Sequence, residues 1–316
     1  MRNSPSPAPP GPLHAPRVLV CIPTYDERDN LPGTVRRVRA AVPEADVLVI
    51  DDASPDGTGV IADELAAADP GIGVLHRAGK AGLGAAYVAG FAHALAAGYD
   101  VVVEMDADGS HTPEELPRLL SALQDADVVL GSRWMDGGEV RNWPRSRLLL
   151  SRGGNAYVRT VLGMPLTDAT GGFRAYRASF LRSLALDTVS SQGYCFQVDL
   201  VWQAWLQKRR IVEVPITFIE RERGTSKMSR DIVAEALWRV TWWGLRSRRG
   251  RVSTGSPAPA EPPNAAEPSH AAEPPAVDAV PDGSSGTATL SVPLTAGRPV
   301  ASPSTDTEDV VTRAGG

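Results

Sequence analysis

The chain of 316 residues has few cysteines and no long apolar run. Its two cysteines, Cys21 and Cys195, lie beside apolar or aromatic residues, so we interpret both as buried thiols and not as a disulfide or a metal pair. There is no secretory apolar segment near Met1 and no run of about eighteen apolar residues that would span a membrane. We therefore expect a chain that is soluble or peripheral on a membrane, in the reducing cytoplasm.

Large apolar side chains are also scarce at both ends of the chain. Residues 1–16 contain six prolines, and residues 251–316 contain eleven prolines and no aromatic residue. Such segments bury too little apolar surface to offset the entropy that is lost on ordering. We predict disordered tails at 1–16 and 251–316 and a single folded domain over residues 17–250, which is enough chain to build a sizeable core.

Charge is distributed unevenly around a net value of −5. Residues 251–316 contribute −5, from eight acidic and three basic residues, whereas residues 221–251 contribute +6, from nine basic and three acidic residues. The basic segment suggests an anionic partner such as a phosphate or a lipid headgroup, and its alternative interpretation is a solvated helix face. We expect no nucleic-acid partner.

Short valine-rich runs alternate with helical patterns along the first 130 residues. Continuous apolar runs are typical of strands that are buried on both faces of a parallel sheet. The alternation predicts an α/β doubly wound domain, with a mostly parallel sheet flanked by helices. The predicted strands are Arg17–Pro23, Val47–Ile50, Ile72–Leu75, Val101–Met105 and Val128–Leu130. The predicted helices are Asn30–Val42, Gly59–Ala68, Leu83–Ala97 and Pro113–Leu123.

Beyond residue 131 the pattern is less regular. Helical periodicity predicts helices at Arg145–Leu162, Phe196–Gln207 and Arg230–Arg249. One or two short strands are predicted within Ile211–Ile219. No internal repeat is present.

Two carboxylates, Asp106 and Asp108, follow the fourth predicted strand. Ligands of such sheets bind at the carboxyl ends of the strands. Mg²⁺ takes one or two carboxylates and completes its shell with phosphate and water oxygens, so this pair is a candidate site for a metal and a diphosphate. The alternative is helix-start chemistry, but Thr112, Pro113 and Glu115 already resemble an N-cap, a first-turn proline and a capping-box partner.

Two further loops at predicted strand ends carry candidate ligand groups. Asp52 is placed to accept hydrogen bonds from a ribose or a base, or alternatively to cap a turn. Tyr25 could stack on a base and Glu27 could accept hydrogen bonds, although a plain loop before a helix is the simpler interpretation. The glycine-rich segment 80–84 could receive phosphate at a helix N-terminus, but it lacks the spacing of a P-loop or a dinucleotide fingerprint.

Taken together, these motifs resemble glycosyltransferase family 2, and within it the bacterial-type dolichol- or polyprenol-monophosphate mannose synthases that consist of a catalytic domain only. The resemblance spans roughly residues 17–246 and implies a GT-A fold. One departure is Asp26, where many relatives carry asparagine. The matching segments are 21–27, 50–58, 80–84, 105–108, 131–133, 142–144, 151–153, 170–174, 191–194, 213–216 and 221–227.

The resemblance implies inverting transfer of mannose from GDP-mannose to a polyprenyl (dolichyl-type) monophosphate with Mg²⁺ or Mn²⁺, giving polyprenyl phosphate mannose and GDP. The implied donor-binding residues are Pro23, Tyr25, Glu27, Ile50, Asp52, Asp106, Ala107, Asp108, Arg133, Arg221 and Lys227. The implied metal-facing residues are Asp106, Asp108 and Ser110, whose hydroxyl is a weaker ligand than a carboxylate. The implied acceptor-phosphate residues are Arg133, Arg147 and Ser151, and the implied catalytic residues are Asp108, Arg133 and Arg147.

A phosphate nucleophile agrees with the absence of an evident histidine dyad. A phosphate monoester has its second pKa near 6, so it is largely dianionic at pH 7 and needs no general base. Bringing two anionic substrates together instead requires cations, and arginine makes bidentate contacts with phosphate. Candidate cations are Arg133, Arg141, Arg145, Arg147 and Arg152.

The last predicted helix, within residues 228–250, is amphipathic and rich in tryptophan and arginine. This composition suits a membrane interface, where each arginine near anionic lipid contributes about 1 kcal/mol. The alternative is that the helix packs on the domain. We hypothesise that it docks the protein on an anionic surface, the inner face of the cell membrane, where a membrane protein is a conceivable further partner.

Two other functions are compatible with the sequence. A family 2 transferase could use another donor, such as UDP-glucose, because donor choice depends on a pocket shape that the sequence does not show. A nucleotide-sugar-binding protein without turnover is the non-enzymatic alternative, and the intact Asp106, Asp108, Arg133 and Lys227 argue against it.

Overall fold

A computed structural model describes residues 15–186, 189, 194–220 and 230–250. The predicted tails fall outside these residues, apart from residues 15 and 16. Arg221 and Lys227 fall outside them as well. The extent of the tails and the single-domain boundary therefore stay predictions.

A seven-stranded, mostly parallel sheet forms the centre of the described part of the chain. The strand order is β3-β2-β1-β4-β7-β5-β8, and β7 runs antiparallel to the other six strands. The strands are β1 (Val18–Thr24), β2 (Asp46–Asp51), β3 (Ile72–His76), β4 (Val101–Glu104), β5 (Val128–Ser132), β7 (Arg174–Arg177) and β8 (Ile211–Pro215). A separate parallel pair is formed by β6 (Glu139–Arg141) and β9 (Thr217–Ile219).

Helices cover both faces of this sheet. They are α1 (Leu31–Ala41), α2 (Thr58–Ala68), α3 (Leu83–Ala96), α4 (Leu116–Ala122), α5 (Arg145–Leu162), α6 (Ala178–Leu181), α7 (Tyr194–Leu206) and α8 (Arg230–Gly250). Alternate strand residues point to opposite faces. In β1, Val18, Val20 and Ile22 pack with α1, α2 and α4, whereas Leu19 and Cys21 pack with α3, α5, α6 and α7. Burial on both faces explains why the strands are continuous apolar runs.

The predicted α/β fold of GT-A type is confirmed, as are all five strands predicted before residue 131 and the helix Arg145–Leu162. Both cysteines are free and buried, as predicted. Three elements were not predicted, namely β6, β7 and α6. Each is only three or four residues long, which is too short to show a period.

The predicted capping box at Thr112 and Glu115 is wrong. A 3₁₀ turn begins at Pro113 and continues into α4, and Thr112 makes no side-chain capping bond. The Thr112 hydroxyl instead donates to the Thr217 carbonyl, and Glu115 Oε1 accepts from the Thr217 amide, at 3.2 and 3.1 Å. Tertiary contact with β9 has replaced the local cap, and it fixes β9 beside the loop that follows β4.

Helices α5 and α8 pack against each other. The Tyr157 hydroxyl of α5 bonds to the Leu237 carbonyl at 3.1 Å, and also to the Thr241 hydroxyl. A Cβ atom at Gly244 would lie 2.6 Å from a Val161 methyl and 2.8 Å from the Val161 carbonyl oxygen, so this crossing requires glycine. Among the described residues, no helix is both long and apolar enough to cross a membrane.

Candidate active site

Three loops that carry candidate ligand groups meet at one edge of the sheet. Strands β2, β1 and β4 are neighbours and parallel, so their carboxyl ends lie side by side. Asp51 and Asp52, at the end of β2, have different surroundings. Asp51 accepts from the Thr24 and Ser54 hydroxyls at 3.1 and 2.6 Å, and thereby joins the loops after β1 and β2. Asp51 is thus part of the scaffold, and Asp52 remains the candidate ligand.

Asp52 forms an ion pair with Arg77, which follows β3. Arg77 Nη1 lies 2.6 Å from Asp52 Oδ1, and both side chains are largely buried. On the next loop, the Lys80 ammonium lies 3.8 Å from the centroid of the Tyr25 ring. These contacts hold the Asp52 carboxylate and the Tyr25 ring at adjacent strand ends. Both residues were predicted to bind the nucleoside part of the donor.

The other predicted nucleoside residues contribute differently. The Asn30 side-chain amide donates to Glu27 Oε2 at 2.8 Å, so Glu27 also helps to shape the start of α1. The side chain of Ile50 is fully buried in the core, so a donor contact from Ile50 would have to use its backbone. Pro23 is partly buried in β1. The structure thus brings Tyr25, Glu27 and Asp52 to one edge of the sheet.

Asp106 and Asp108 lie in the loop directly after β4, as predicted. Asp106 Oδ1 accepts from the Tyr87 hydroxyl at 3.0 Å, and Asp108 Oδ1 accepts from the Ser110 amide at 3.0 Å. The Ala107 carbonyl accepts from the Thr34 hydroxyl of α1 at 3.0 Å. The loop is thus anchored to α3 and α1, and both carboxylates remain partly exposed.

His111 supports this loop from inside and was not predicted to do so. It is buried, and its Nδ1 accepts from the Asp106 amide at 3.0 Å. Its ring stacks on Phe173 at 5.1 Å between centroids. Burial lowers the pKa of His111, although the nearby Asp106 and Asp108 oppose this. A neutral imidazole with Nδ1 as acceptor explains the hydrogen bond.

Glu104, the last residue of β4, is a second buried group that the sequence did not single out. Burial raises the pKa of its carboxyl to about 8, and the charge of Arg174 only partly offsets this. At neutral pH it is mostly protonated. The negative charge at this end of β4 therefore lies on Asp106 and Asp108.

The residues Asp106, Asp108 and Ser110 fit a divalent cation that is shared with a ligand. The Ser110 hydroxyl is buried and has no hydrogen-bond partner among the described residues. The described part of the chain holds no group of three or more His, Cys, Asp or Glu side chains that could bind a metal ion. Two carboxylates with phosphate and water oxygens are a usual Mg²⁺ arrangement, so an ion here would depend on a diphosphate for its remaining ligands.

Arg133 follows β5 and is held by a buried carboxylate. Its Nε and Nη2 lie 2.6 and 2.7 Å from the two oxygens of Asp168, and its backbone amide donates to Oδ2. The Arg133 side chain is 5% exposed, and that of Asp168 is 0% exposed. Rings of Trp134, Trp143 and Phe218 surround the guanidinium at 5.4 to 5.6 Å.

Asp168 connects three segments of the chain. Besides Arg133 it accepts from Asn155 of α5, from Thr170 and from the Gly171 amide. Glu213 of β8 supports it from behind by accepting from the Thr167 and Asp168 amides at 2.8 Å. Burial favours the neutral acid, but the charge and hydrogen bonds of Arg133 outweigh it and lower the pKa of Asp168. Asp168 was not predicted as a site residue, although it lies two residues before the matching segment 170–174.

Arg147, on α5, has a different arrangement. It forms an ion pair with Glu220, which directly follows β9, and its guanidinium lies 4.2 Å from the Trp143 ring centroid. Ser151 lies one turn further along α5, and its carbonyl accepts from Asn155. The predicted acceptor residues Arg133, Arg147 and Ser151 thus come together. Arg141 lies apart, in an exposed pair with Glu139.

A cavity of about 130 Å³ opens beside these arginines, between α5 and α8. Its polar lining includes Arg133, Arg147, Ser151 and Thr170. Its apolar lining is longer and includes Leu150, Val158, Val198, Leu237 and Val240. A molecule with a small anionic head and a hydrocarbon body matches such a lining.

The sequence profile of glycosyl transferase family 2 matches residues 19–185. The chain therefore belongs to glycosyl transferase family 2, and it is a glycosyltransferase. An undecaprenyl-phosphate mannosyltransferase of Micrococcus luteus is 60% identical over 232 residues, which cover 73% of this chain and 96% of that protein. A polyprenol monophosphomannose synthase of Mycolicibacterium smegmatis is 56% identical over 237 residues, covering 74% and 89%.

Among solved structures, the fold is similar to glucosyl-3-phosphoglycerate synthase of Mycobacterium tuberculosis. The complex of that enzyme with Mn²⁺, UDP-glucose and phosphoglyceric acid aligns with a TM-score of 0.53 and 22% identity, over 74% of this chain and 80% of that one. This likeness concerns the fold.

Replacing Asp168 by Asn should strongly destabilise the protein. Breaking one partner of a buried ion pair costs about 3 to 5 kcal/mol, so urea unfolding at pH 7 should show a loss of about that size. Because the folded pKa is lowered, the stabilisation by Asp168 is present above its unfolded pKa of about 3.9 and is lost as the pH falls below that value.

The matched control is Glu114→Gln in an exposed bidentate pair with Arg37, whose side chains are 55% and 41% exposed. Its effect should stay below about 1 kcal/mol. Equal losses in the two variants would contradict the importance of the buried pair.

Proposed function

We propose that this chain transfers mannose from GDP-mannose to a polyprenyl monophosphate with inversion, giving polyprenyl phosphate mannose and GDP. The observation that carries the proposal is the cavity between α5 and α8, where two arginines and a serine adjoin an apolar wall. A lipid phosphate has this division of charge and hydrocarbon. The identities of 60% and 56% to enzymes named for transferring mannose to such lipids support the same acceptor.

The donor would bind across the carboxyl ends of β2, β1 and β4. Tyr25, Glu27 and Asp52 would hold the nucleoside, and Asp106 and Asp108 would face the diphosphate. Mg²⁺ or Mn²⁺ held by this carboxylate pair, with Ser110 nearby, would neutralise the charge that develops on the leaving diphosphate. Arg221 and Lys227 are proposed as further phosphate contacts and lie outside the described residues.

The chemistry requires positioning but no proton transfer. Near pH 7 the acceptor phosphate is largely a dianion because its second pKa is about 6. One of its oxygens would form a bond to C1 of mannose while the bond from C1 to the GDP oxygen breaks. The acceptor phosphate becomes a monoanionic diester, and GDP takes up the negative charge. Attack opposite the leaving group inverts C1, and Arg133 and Arg147 would hold the nucleophile in line.

The protein would work at a membrane surface, where its acceptor resides. Six large apolar residues of α5 and α8 are exposed and form what we term the α5–α8 apolar surface: Leu149, Leu150, Leu237, Trp238, Trp242 and Leu245. Leu150 and Leu237 also line the cavity, so this surface and the cavity are continuous. Arg246 lies 5.1 Å from the Trp242 ring. Tryptophan, leucine and arginine together favour an anionic lipid interface, here the inner face of the cell membrane.

Transfer of labelled mannose from GDP-mannose to a short polyprenyl phosphate tests the proposed function. With Mg²⁺ we expect an organic-soluble mannolipid, and with EDTA none. Asp108→Ala should lower the rate by at least about a hundredfold, because charge on the leaving group loses its stabilisation. Asp63→Ala, in an exposed pair with His76, is the control and should leave the rate unchanged.

Other outcomes of this assay separate the alternatives. If UDP-glucose gives a product and GDP-mannose gives none, the proposed acceptor stands and the donor is UDP-glucose instead of GDP-mannose. Absence of product with every donor, together with retained GDP binding, would indicate a binding protein without turnover.

Membrane docking is tested by sedimentation with vesicles that contain phosphatidylglycerol. The double substitution Leu149→Ser and Trp238→Ser removes two of the most exposed apolar side chains, 69% and 66% exposed. Vesicle binding should fall at least about tenfold, because each buried side chain contributes on the order of 1.5 to 3 kcal/mol. Val60→Ser on α2, at a site 62% exposed, is the control. Unchanged sedimentation of the double variant would contradict docking by this surface.

A further inference from the structure

The two arginines of the cavity are held by carboxylates in very different ways. Asp168 is fully buried and accepts hydrogen bonds from Asn155, Thr170 and Gly171 as well as from Arg133. These additional bonds hold the Asp168 carboxylate in place independently of Arg133. Glu220, by contrast, makes its only side-chain hydrogen bond within the described residues to Arg147.

Within the described part of the chain, the second carboxylate oxygen of Glu220, Oε2, lacks the additional hydrogen bonds that hold Asp168. Oε2 is buried and has no hydrogen-bond partner among the described residues. A buried carboxylate oxygen without a hydrogen bond costs free energy, so the position of Glu220 next to Arg147 is stabilised less than that of Asp168 next to Arg133. The side chain as a whole is 25% exposed and that of Arg147 is 19% exposed, so water can reach the pair.

The Arg147 guanidinium can bind either the Glu220 carboxylate or a phosphate. A guanidinium has five donors in a planar fork that fits carboxylate and phosphate alike. The Trp143 ring centroid lies 4.2 Å from this guanidinium, and this cation–π contact does not involve Glu220. A phosphate dianion that approaches Arg147 repels the neighbouring Glu220 carboxylate, and within a partly buried site this repulsion is weakly screened.

The proposed reaction changes the charge that Arg147 would face. The acceptor is a monoester dianion, whereas the product is a diester monoanion. A dianion competes well with a single carboxylate for one guanidinium, and a monoanion competes less well.

We infer that Glu220 is an exchangeable partner of Arg147. The ion pair between Glu220 and Arg147 breaks when the acceptor phosphate binds to Arg147, and it forms again when the product leaves. This inference rests on the proposed function, because it takes Arg147 as the acceptor-phosphate contact. Glu220 thereby weakens the binding of lipid phosphates at Arg147 and speeds release of the mannolipid. It does not touch the reacting atoms.

The test is Glu220→Gln, which keeps the shape of the side chain and removes its charge. Binding of a short polyprenyl phosphate and of its mannosylated product should both tighten about tenfold, because the internal competitor is lost. The KM for the acceptor and kcat should fall together, and a pre-steady-state burst of about one mannolipid per enzyme should appear as product release becomes limiting. The affinity for GDP should not change.

Two controls make the result specific. Glu139→Gln removes the charge of a similar but exposed pair with Arg141 and should change none of these values. In an Arg147→Gln background, Glu220→Gln should have no further effect on acceptor binding, because the two residues act through one contact. Thermal melts of each variant identify any loss of folding.

The outcomes separate this inference from the function on which it rests. A weaker or unchanged affinity for the acceptor in Glu220→Gln, with Arg147→Gln still impairing acceptor binding, would overturn the inference and leave the acceptor site intact. If Arg147→Gln itself leaves acceptor binding unchanged, the assignment of the acceptor site is wrong and the inference falls with it. If the effects of the two substitutions simply add, Glu220 does not act through Arg147.

Discussion

The buried ion pair between Asp168 and Arg133 is the interaction on which the candidate acceptor site depends. Its geometry is bidentate, and Asp168 also binds α5 and the Thr170–Gly171 loop. One carboxylate therefore sets the relative positions of β5, α5 and the Thr170–Gly171 loop. Burying a guanidinium is costly unless it is paired and hydrogen-bonded, and Asp168 provides both for Arg133, so the position of Arg133 and the shape of the cavity wall have a common cause.

A site for two anionic substrates must attract both without trapping either. Asp106 and Asp108 can share a cation with the donor diphosphate, while the arginines of the acceptor cavity are already paired with carboxylates. Attraction at the cavity is therefore local and directional and does not depend on a large net positive charge. This agrees with an acceptor that arrives as a charged head on an apolar chain and must leave again as a charged product. In the proposed function, the continuity of the cavity with the α5–α8 apolar surface would give that chain a path to the lipid.

Much of the fold could be predicted because parallel strands that are buried on both faces leave continuous valine runs, as at Val101–Glu104. The loops at the strand ends, with Asp52, Asp106 and Asp108, follow from that order of elements. The carboxylate partners could not be predicted, because Asp168 is 35 residues from Arg133 and Glu220 is 73 residues from Arg147. Strand β7 carries two arginines in four residues and owes its place to pairing with β4 and β5. The capping box failed because Thr217, over 100 residues away, bonds to both of its members.

The central claim is that the acceptor phosphate is itself the ionised nucleophile and that no protein group removes a proton. The most direct measurement is the pH dependence of the single-turnover rate of mannose transfer, with a polyprenyl phosphate and with its methylene phosphonate analogue, whose second pKa is higher. We predict that the rate rises with one ionisation, near pH 6 for the phosphate, and that this ionisation moves upward with the phosphonate by the difference between the two second pKa values. An ionisation that stays at the same pH for both acceptors would belong to the protein and would contradict the claim.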